Sequence, residues 1–511
     1  MQLFSSPYRW ILINNQSFNK GAIKNTFSAL NILVDSEVMV ANPTSENFYT
    51  LHKIYKRDTT LPVVEDEVGF WKPESGFVLN KSKLVNARYR NNLMGTVLRT
   101  CIVITYNDSL NHLTDRRDAH IDTITKVNYV LMQHIGDVVN ASLKYSMQNT
   151  WGYKNESSQW TGMIGELQRQ EADVGGTALF VTSDRVPIID YIAMTTPSRS
   201  KFVFRQPKLS YVTNVYVLPF HWTVWISLFA LIAVTSIALY GANKWEWYTK
   251  RFAKIENKSN TAELQDSWAE ILVLAFGATC QQGSASVPYS HAGRIIMILM
   301  FIALMFLYTS YSANIVALLQ SPSNSIQSLS DLLHSRLDVG VDDTVFNHFY
   351  FPNATEPVRR ALYLQKVAPP GQQPRFYSMI EGVKRLRSDH FAFHMETGVG
   401  YKIVLETFEE HEKCGLQEIQ FLQVPDPWIA VQKDSPYKEM LKIGFRKIQE
   451  SGIQSREYFM LYTKKPTCTN SASSFVSVGI VDCYLAAAVL FGGIIFASIL
   501  FLLEIGCSRN R

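Results

Sequence analysis

Apolar residues are unevenly spread along this chain, concentrating between 211 and 320 and again after 476. No Asp, Glu, Lys or Arg lies between Lys208 and Lys244, and the run 222–242 (WTVWISLFALIAVTSIALYGA) has the length a helix needs to cross the hydrocarbon core of a bilayer. A second uncharged stretch, 295–320 (IIMILMFIALMFLYTSYSANIVALLQ), is long enough to cross and to project beyond one face. A third, CYLAAAVLFGGIIFASILFLL, lies between Asp482 and Glu504. Between the first two sits WAEILVLAFGATC, from Trp268 to Cys280, apolar but too short to span. Such a segment is a re-entrant loop or a buried helix, and non-helical backbone at that depth is tolerated only against protein or a water-filled pore.

The pattern therefore predicts a pore region at 208–320, with a span at 222–242, a re-entrant loop at 267–283 and a span at 294–320. A last span at 481–504 and a tail at 505–511 complete the membrane part. Three spans and one re-entrant loop put the chain before the first span and the long segment 321–475 on the same side. Lys244, Lys250, Arg251, Lys254 and Lys258 follow the first span, and Arg509 and Arg511 follow the last. Basic residues there mark the cytoplasmic face, so the two large segments are expected outside a plasma membrane. Acceptor triplets for N-glycosylation agree: Asn15, Asn80, Asn107, Asn140 and Asn155 in the first segment and Asn353 in the second. Asn257 falls in the cytoplasmic loop and is expected to stay unmodified.

Outside the spans the pattern alternates between helix and strand. The runs 97–105 (VLRTCIVIT) and 178–182 read as strands, and 123–139 as a helix. In the second segment Met379, Val383 and Leu386 share a helical face ahead of the strand FAFHM, and Ser435-Pro436 opens a helix through Leu441, Phe445 and Ile448 that stops at Gly452. Each segment is short for a two-lobed domain, so one clam shell interrupted by the pore is the economical arrangement. The first residues (MQLFSSPYRWILINNQ) lack a basic end followed by an apolar run. The expectation is a missing signal peptide, with 1–95 the remnant of a larger amino-terminal domain.

A net charge of +5 without a Lys/Arg block interleaved with aromatics excludes a nucleic-acid surface. No catalytic constellation such as HExxH, GxSxG or a phosphate-binding glycine loop occurs, so an enzyme is not expected. The six cysteines show no metal-ligand spacing, and neither a metal nor a cofactor is expected. Cys414 and Cys468 alone share one extracellular segment, which makes a disulfide the natural pairing; the alternative is two free buried thiols.

Several motifs in one order carry a resemblance. Trp160-Thr-Gly-Met-Ile-Gly-Glu-Leu, Ala172-Asp-Val and LFVTSDRVPIIDY at 179–191 resemble the first ligand-binding segment of ionotropic glutamate receptors. Cys280-Gln-Gln-Gly is similar to their pore-loop apex, and Ser310-Tyr-Ser-Ala-Asn-Ile-Val-Ala-Leu-Leu to the gate that ends their pore helix. The likeness runs from about 96 to 504 and is nearest to the insect chemosensory ionotropic receptors. It implies an α/β bilobed clam-shell ligand-binding domain, periplasmic-binding-protein-like, built from 96–207 and 321–475 and interrupted by an α-helical transmembrane pore domain. It also implies a hetero-tetramer with a co-receptor subunit, opened by a small-molecule ligand.

The resemblance assigns roles. Arg185 stands where a first-lobe arginine holds the ligand carboxylate, and Glu396 where a second-lobe acid meets its amino group. Elsewhere the chain departs: Ala178 and Phe180 replace a proline and a threonine, Val345 and Phe346 lie where small hydroxyls stand, and Thr344 is the nearest hydroxyl left. These losses weigh against glutamate and, with the arginine kept, favour a small volatile carboxylic acid. Gln281, Gln282 and Gly283 become filter residues of a cation path, and Ser310, Tyr311, Ala313 and Asn314 gate residues. Plainer alternatives are an ion pair of Arg185 with Asp184 or Asp190, a structural role for Glu396, and loop-tip roles for Gln281 and Gln282. The alternatives for the whole chain are a synaptic-type glutamate receptor subunit and a tuning subunit without its own conductance.

Overall fold

The structure is a computed structural model that describes every residue except 1–3, 6, 15–24, 84, 116, 208–215, 253–263, 265–266, 285, 289, 321–323, 389, 423–425, 468–479 and 510–511. The chain divides into two compact units: Met1–Arg205 with Gln327–Ser471, and Gln206–Ile326 with Ala472–Arg511.

The first unit opens with five strands, β1 (Arg9–Ile13), β2 (Glu37–Ser45), β3 (Phe48–Tyr55), β4 (Val64–Lys72) and β5 (Gly76–Leu79), forming a sheet in that order. Then come β6 (Thr96–Val103), β7 (Ala141–Gln148), β8 (Val174–Leu179), β9 (Ile189–Met194) and β10 (Ser200–Arg205). After the membrane insertion follow β11 (Asp338–Asp342), β12 (Phe376–Tyr377), β13 (Phe391–Glu396), β14 (Leu416–Gln420) and β15 (Trp428–Gln432). These ten strands make two sheets, ordered β7-β6-β8-β15-β9 and β12-β11-β13-β10-β14. The chain changes sheet twice, between β9 and β10 and between β14 and β15, so each sheet takes strands from both sides of the insertion.

Local sequence explains the central elements. In the helix Thr123–Val139, Val127, Leu131, Ile135 and Val139 recur every fourth residue and are buried with Met132, giving the one-sided stripe of a packed helix. Asn140 closes it in the left-handed conformation that asparagine tolerates, φ 49°. β8 is buried along its whole length, as a strand covered on both faces must be. The strand expected at 178–182 instead ends at Leu179, two residues before the chain turns toward Arg185. Helix Lys438–Glu450 begins after Ser435-Pro436, with Tyr437 as its N-cap, and buries Leu441, Phe445 and Ile448. Ser435 instead accepts the Tyr437 N–H at 3.3 Å.

In the second unit three helices among the described residues have the length and composition to cross a membrane, within Trp222–Phe252, His291–Gln320 and Ile480–Arg509. The first continues well past 242, so Lys244, Lys250 and Arg251, expected in the loop after the span, are helical. The short apolar segment is a helix, Trp268–Thr279, N-capped by Ser267, whose hydroxyl accepts the Ala269 N–H at 3.3 Å. Its Ile271, Leu274, Ala275 and Ala278 pack with Leu239, Met300 and Leu304, and the Trp268 ring stacks on Tyr240 at 4.1 Å.

Candidate functional site

Arg185 sits in the turn between β8 and β9 and is 3% exposed. Its guanidinium donates to two backbone carbonyls, Phe180 at 3.1 Å and Gly152 at 3.1 Å, and lies over the Tyr153 ring at 5.9 Å. Neither of the suspected acids pairs with it. Asp190 is taken by Lys433 at 3.0 Å and Lys438 at 3.1 Å, and Asp184 forms no ion pair among the described residues. Carbonyls satisfy part of the fork without neutralising its charge, which leaves a buried cation able to take a carboxylate in a two-pronged bond.

Gly152 makes this arrangement possible. At φ 117° it occupies a conformation that side-chain-bearing residues avoid, and a Cβ there would meet the Thr161 carbonyl oxygen at 2.5 Å. A second bond steadies the other acceptor, because the Tyr191 hydroxyl donates to the Phe180 carbonyl at 3.2 Å.

Arg185 lines a cavity of about 100 Å³ shared with Glu396, Phe180, Thr344, Phe346 and Ala178. The two phenylalanines belong to different sheets' connections and meet edge to face, ring centroids 5.8 Å apart. Tyr153, by contrast, stacks nearly parallel on Phe349, ring centroids 4.1 Å apart. Val345 begins the short helix Val345–Tyr350, for which Thr344 is the N-cap residue; its hydroxyl makes no capping bond and is buried with no hydrogen-bond partner among the described residues.

Glu396, the last residue of β13, accepts a short hydrogen bond from the Ser198 hydroxyl. Burial raises its carboxyl above the usual range, with Ser198 and the nearby Tyr462 hydroxyl drawing it partly back. Beside it lies an acid that the sequence reading missed. Asp342 ends β11, is 6% exposed and lines the same cavity. Burial first, then the Glu396 and Asp343 charges, push its carboxyl up to about 8. Trp151 was also missed; it lines the cavity and donates from Nε1 to the Ala178 carbonyl at 3.0 Å. A rare glycine conformation and a burial state leave little trace in sequence, although Gly152 flanked by two aromatics is a hint.

The residues expected at the filter and at the gate both fall in the second unit. Gln281, at φ 60°, follows the short helix, and its N–H bonds the Ala278 carbonyl at 3.2 Å. Gln281, Gln282 and Gly283 line a recess with Ala278, Phe301, Ile302 and Met305. Ser310, Tyr311, Ala313 and Asn314 fall in the last turns of His291–Gln320. There the Tyr311 hydroxyl donates to the Tyr216 carbonyl at 3.0 Å and the Asn314 amide to the Pro219 carbonyl at 3.4 Å. Cys414 is half of a disulfide, and Cys468 lies outside the described residues. Among the glycosylation triplets Asn15 also lies outside them, while Asn80, Asn107, Asn140, Asn155 and Asn353 are exposed.

Comparison with known proteins fits this layout. The family profile described as ligand-gated ion channel matches residues 221–491, that described as ligated ion channel L-glutamate- and glycine-binding site matches 119–207, and that described as ionotropic receptor 75a N-terminal matches 1–103. The chain is 24% identical to ionotropic receptor 75a of Drosophila melanogaster over 481 residues, covering 89% of this chain and 75% of that protein. It is 23% identical to the Drosophila sechellia counterpart with the same coverage. To the delta-2 ionotropic glutamate receptor of Mus musculus it is 22% identical, over 87% of this chain and 44% of that protein. Two apolar helices carried between the halves of an α/β unit and a third after it, with a ligand-gated ion channel profile matched over more than half of the chain, place the protein in the ionotropic glutamate receptor superfamily of ligand-gated ion channels, within its insect ionotropic receptor branch.

Proposed function

We propose that this chain is a subunit of a chemosensory, olfactory, non-selective cation channel tuned to small volatile carboxylic acids. The observation that carries the reading is Arg185: a buried guanidinium, without an acid partner among the described residues, lining a small cavity. A volume of about 100 Å³ is smaller than the engineered cavity of about 150 Å³ that holds benzene. It suits a short monocarboxylate better than a longer polar ligand, and Phe180 and Phe346 supply the apolar walls. The two sheets act as lobes of an extracellular clam shell, 96–207 with 321–475, whose closure around ligand draws on the pore. Ligand must favour the closed form over the open one for this to shift the equilibrium.

In the same reading Gln281, Gln282 and Gly283 form the filter on a re-entrant loop, and Ser310, Tyr311, Ala313 and Asn314 the gate. The subunit assembles as a hetero-tetramer with a co-receptor in the plasma membrane, and Cys414 pairs with Cys468 across the end of the second segment. Glycans on the exposed asparagines would follow from an extracellular position.

The test is a dose-response series for an acid and its amide on cells expressing the chain with a broadly expressed co-receptor, normalised to surface protein. Arg185→Lys keeps the charge but loses the fork, and acid affinity is expected to fall at least ~thirtyfold, with the amide affected much less. Equal small shifts for both ligands would show that Arg185 is structural.

A further inference from the structure

Two acids sit where adjacent strands of the second sheet end, and neither forms an ion pair among the described residues. Asp342 ends β11 and Glu396 ends β13, adjacent parallel strands paired Val341 with His394, and both line the cavity that Arg185 enters. The cations of neighbouring elements are engaged elsewhere. Lys366 donates to the Ser335 and Leu337 carbonyls, Arg375 pairs with Asp338 at 2.6 Å, Arg385 with Glu381 at 2.9 Å, and Arg199 with Asp426 at 3.4 Å. The remaining titratable groups nearby do not supply a positive charge. Asp343 is itself acidic and pairs with His348 at 2.6 Å, Tyr377 and Tyr462 are phenols, and burial holds the His394 and His120 imidazoles below their usual range. Asp122, also lining the cavity, is occupied by the Thr105 hydroxyl and the Thr105 and Tyr106 N–H groups.

We propose that Asp342 is a specificity-determining residue of this site, forming with Glu396 a carboxyl pair that shares at least one proton and so tolerates an anionic ligand. This inference rests on the acid-ligand reading. Two like charges in one buried site cannot both be ionised cheaply, so the pair presents no more than one negative charge at neutral pH, together with an O–H donor. The raised carboxyl of Asp342 agrees with that state. It resolves the difficulty that Glu396 alone poses for a carboxylate without an amine: the O–H offers a donor, and the second charge appears only in alkaline solution. A ligand carrying an ammonium group should behave in the opposite sense, gaining as the proton leaves.

The experiment uses the full chain in detergent, with butanoate and butylamine as probes and binding read from about pH 6.5 to about pH 9. In the wild type, butanoate affinity is expected to fall ~tenfold over that range as the second charge develops, while any butylamine binding rises. Asp342→Asn, which mimics the protonated acid, should lose most of the alkaline fall, its butanoate affinity at about pH 9 staying within ~threefold of its own value at about pH 6.5. Asp342→Ser serves as a second neutral variant if the amide disturbs folding. A variant profile parallel to that of the wild type, or a flat wild-type profile, overturns the role of Asp342 while leaving the acid reading intact. No butanoate binding by the wild type at any pH overturns both.

Discussion

The two charged corners of the cavity solve the problem of burial in opposite ways. Arg185, on the first sheet's connection, keeps its charge and spends donors on the Phe180 and Gly152 carbonyls. Asp342 and Glu396, on the second sheet, have no cation among their described contacts and are held above the usual carboxylate range. A guanidinium cannot shed its proton in a protein, so the chain must supply dipoles for it. A carboxyl escapes the same cost by taking one up. One corner therefore depends on backbone geometry, the other on pH.

The sharpest way to break the first corner is Gly152→Ala. The new Cβ would meet Thr161 at 2.5 Å and the Ile164 side chain at 2.8 Å, at a φ of 117° that alanine resists. Loss of about 2–4 kcal/mol in unfolding free energy is expected, together with loss of acid binding. Thermal unfolding of the purified chain checks the first and ligand titration the second; unchanged values for both would mean that the carbonyl does not depend on the glycine.

Asp342→Asn should sharpen the second corner through stability. The native carboxyl holds its proton up to about 8, whereas the ordinary value is 3.8. The native state therefore binds more protons than the unfolded chain within that window. Its contribution is fully present below the ordinary value and is lost as pH rises toward 8. The wild-type unfolding midpoint is expected to fall between about pH 5 and pH 8 by several degrees more than that of Asp342→Asn, a slope read by scanning calorimetry. Some slope will remain in the variant, because Glu396 is raised as well.

The smallest effect is expected at Thr344, between the two corners. Its hydroxyl is buried with no partner among the described residues, so Thr344→Val should leave stability within about 0.5 kcal/mol of wild type or raise it slightly. If ligand uses the hydroxyl, acid affinity would drop by about fivefold. A large stability loss would mean the hydroxyl has a partner in the folded protein.

Much of this arrangement was legible in the sequence, but unequally so. The stripe in Thr123–Val139 repeats every fourth residue, which leaves one fold for it, and the uncharged runs declare the apolar helices. Arg185 and Glu396 stood out through motif order and not through any local physics. Asp342 did not stand out, because two consecutive acids after a short apolar run read as a solvated turn. Only the sheet, assembled from strands far apart in sequence, buries one of them. The five strands before residue 80 also went unread, since their alternation is interrupted by charged residues such as Lys53, buried here against Asn86 at 2.8 Å and Glu37 at 3.0 Å. The start of helix Lys438–Glu450 was placed early for a related reason: Ser-Pro is a common opening, but Tyr437 takes the capping position.

One bond at the neck of the membrane insertion bears on how such a chain can fold. Gln206 and Ile326, the two ends of the inserted segment, are joined by a hydrogen bond from the Gln206 side-chain amide to the Ile326 carbonyl at 2.6 Å. In polymer terms the insertion is a closed loop, and the entropy of closing a loop rises only logarithmically with its length, about 0.6 kcal/mol for each doubling. Lengthening or shortening that loop therefore changes the free energy of the sheets it interrupts very little. A strand order that pairs β10 with β13, on opposite sides of more than a hundred intervening residues, is affordable for the same reason that a short hairpin is.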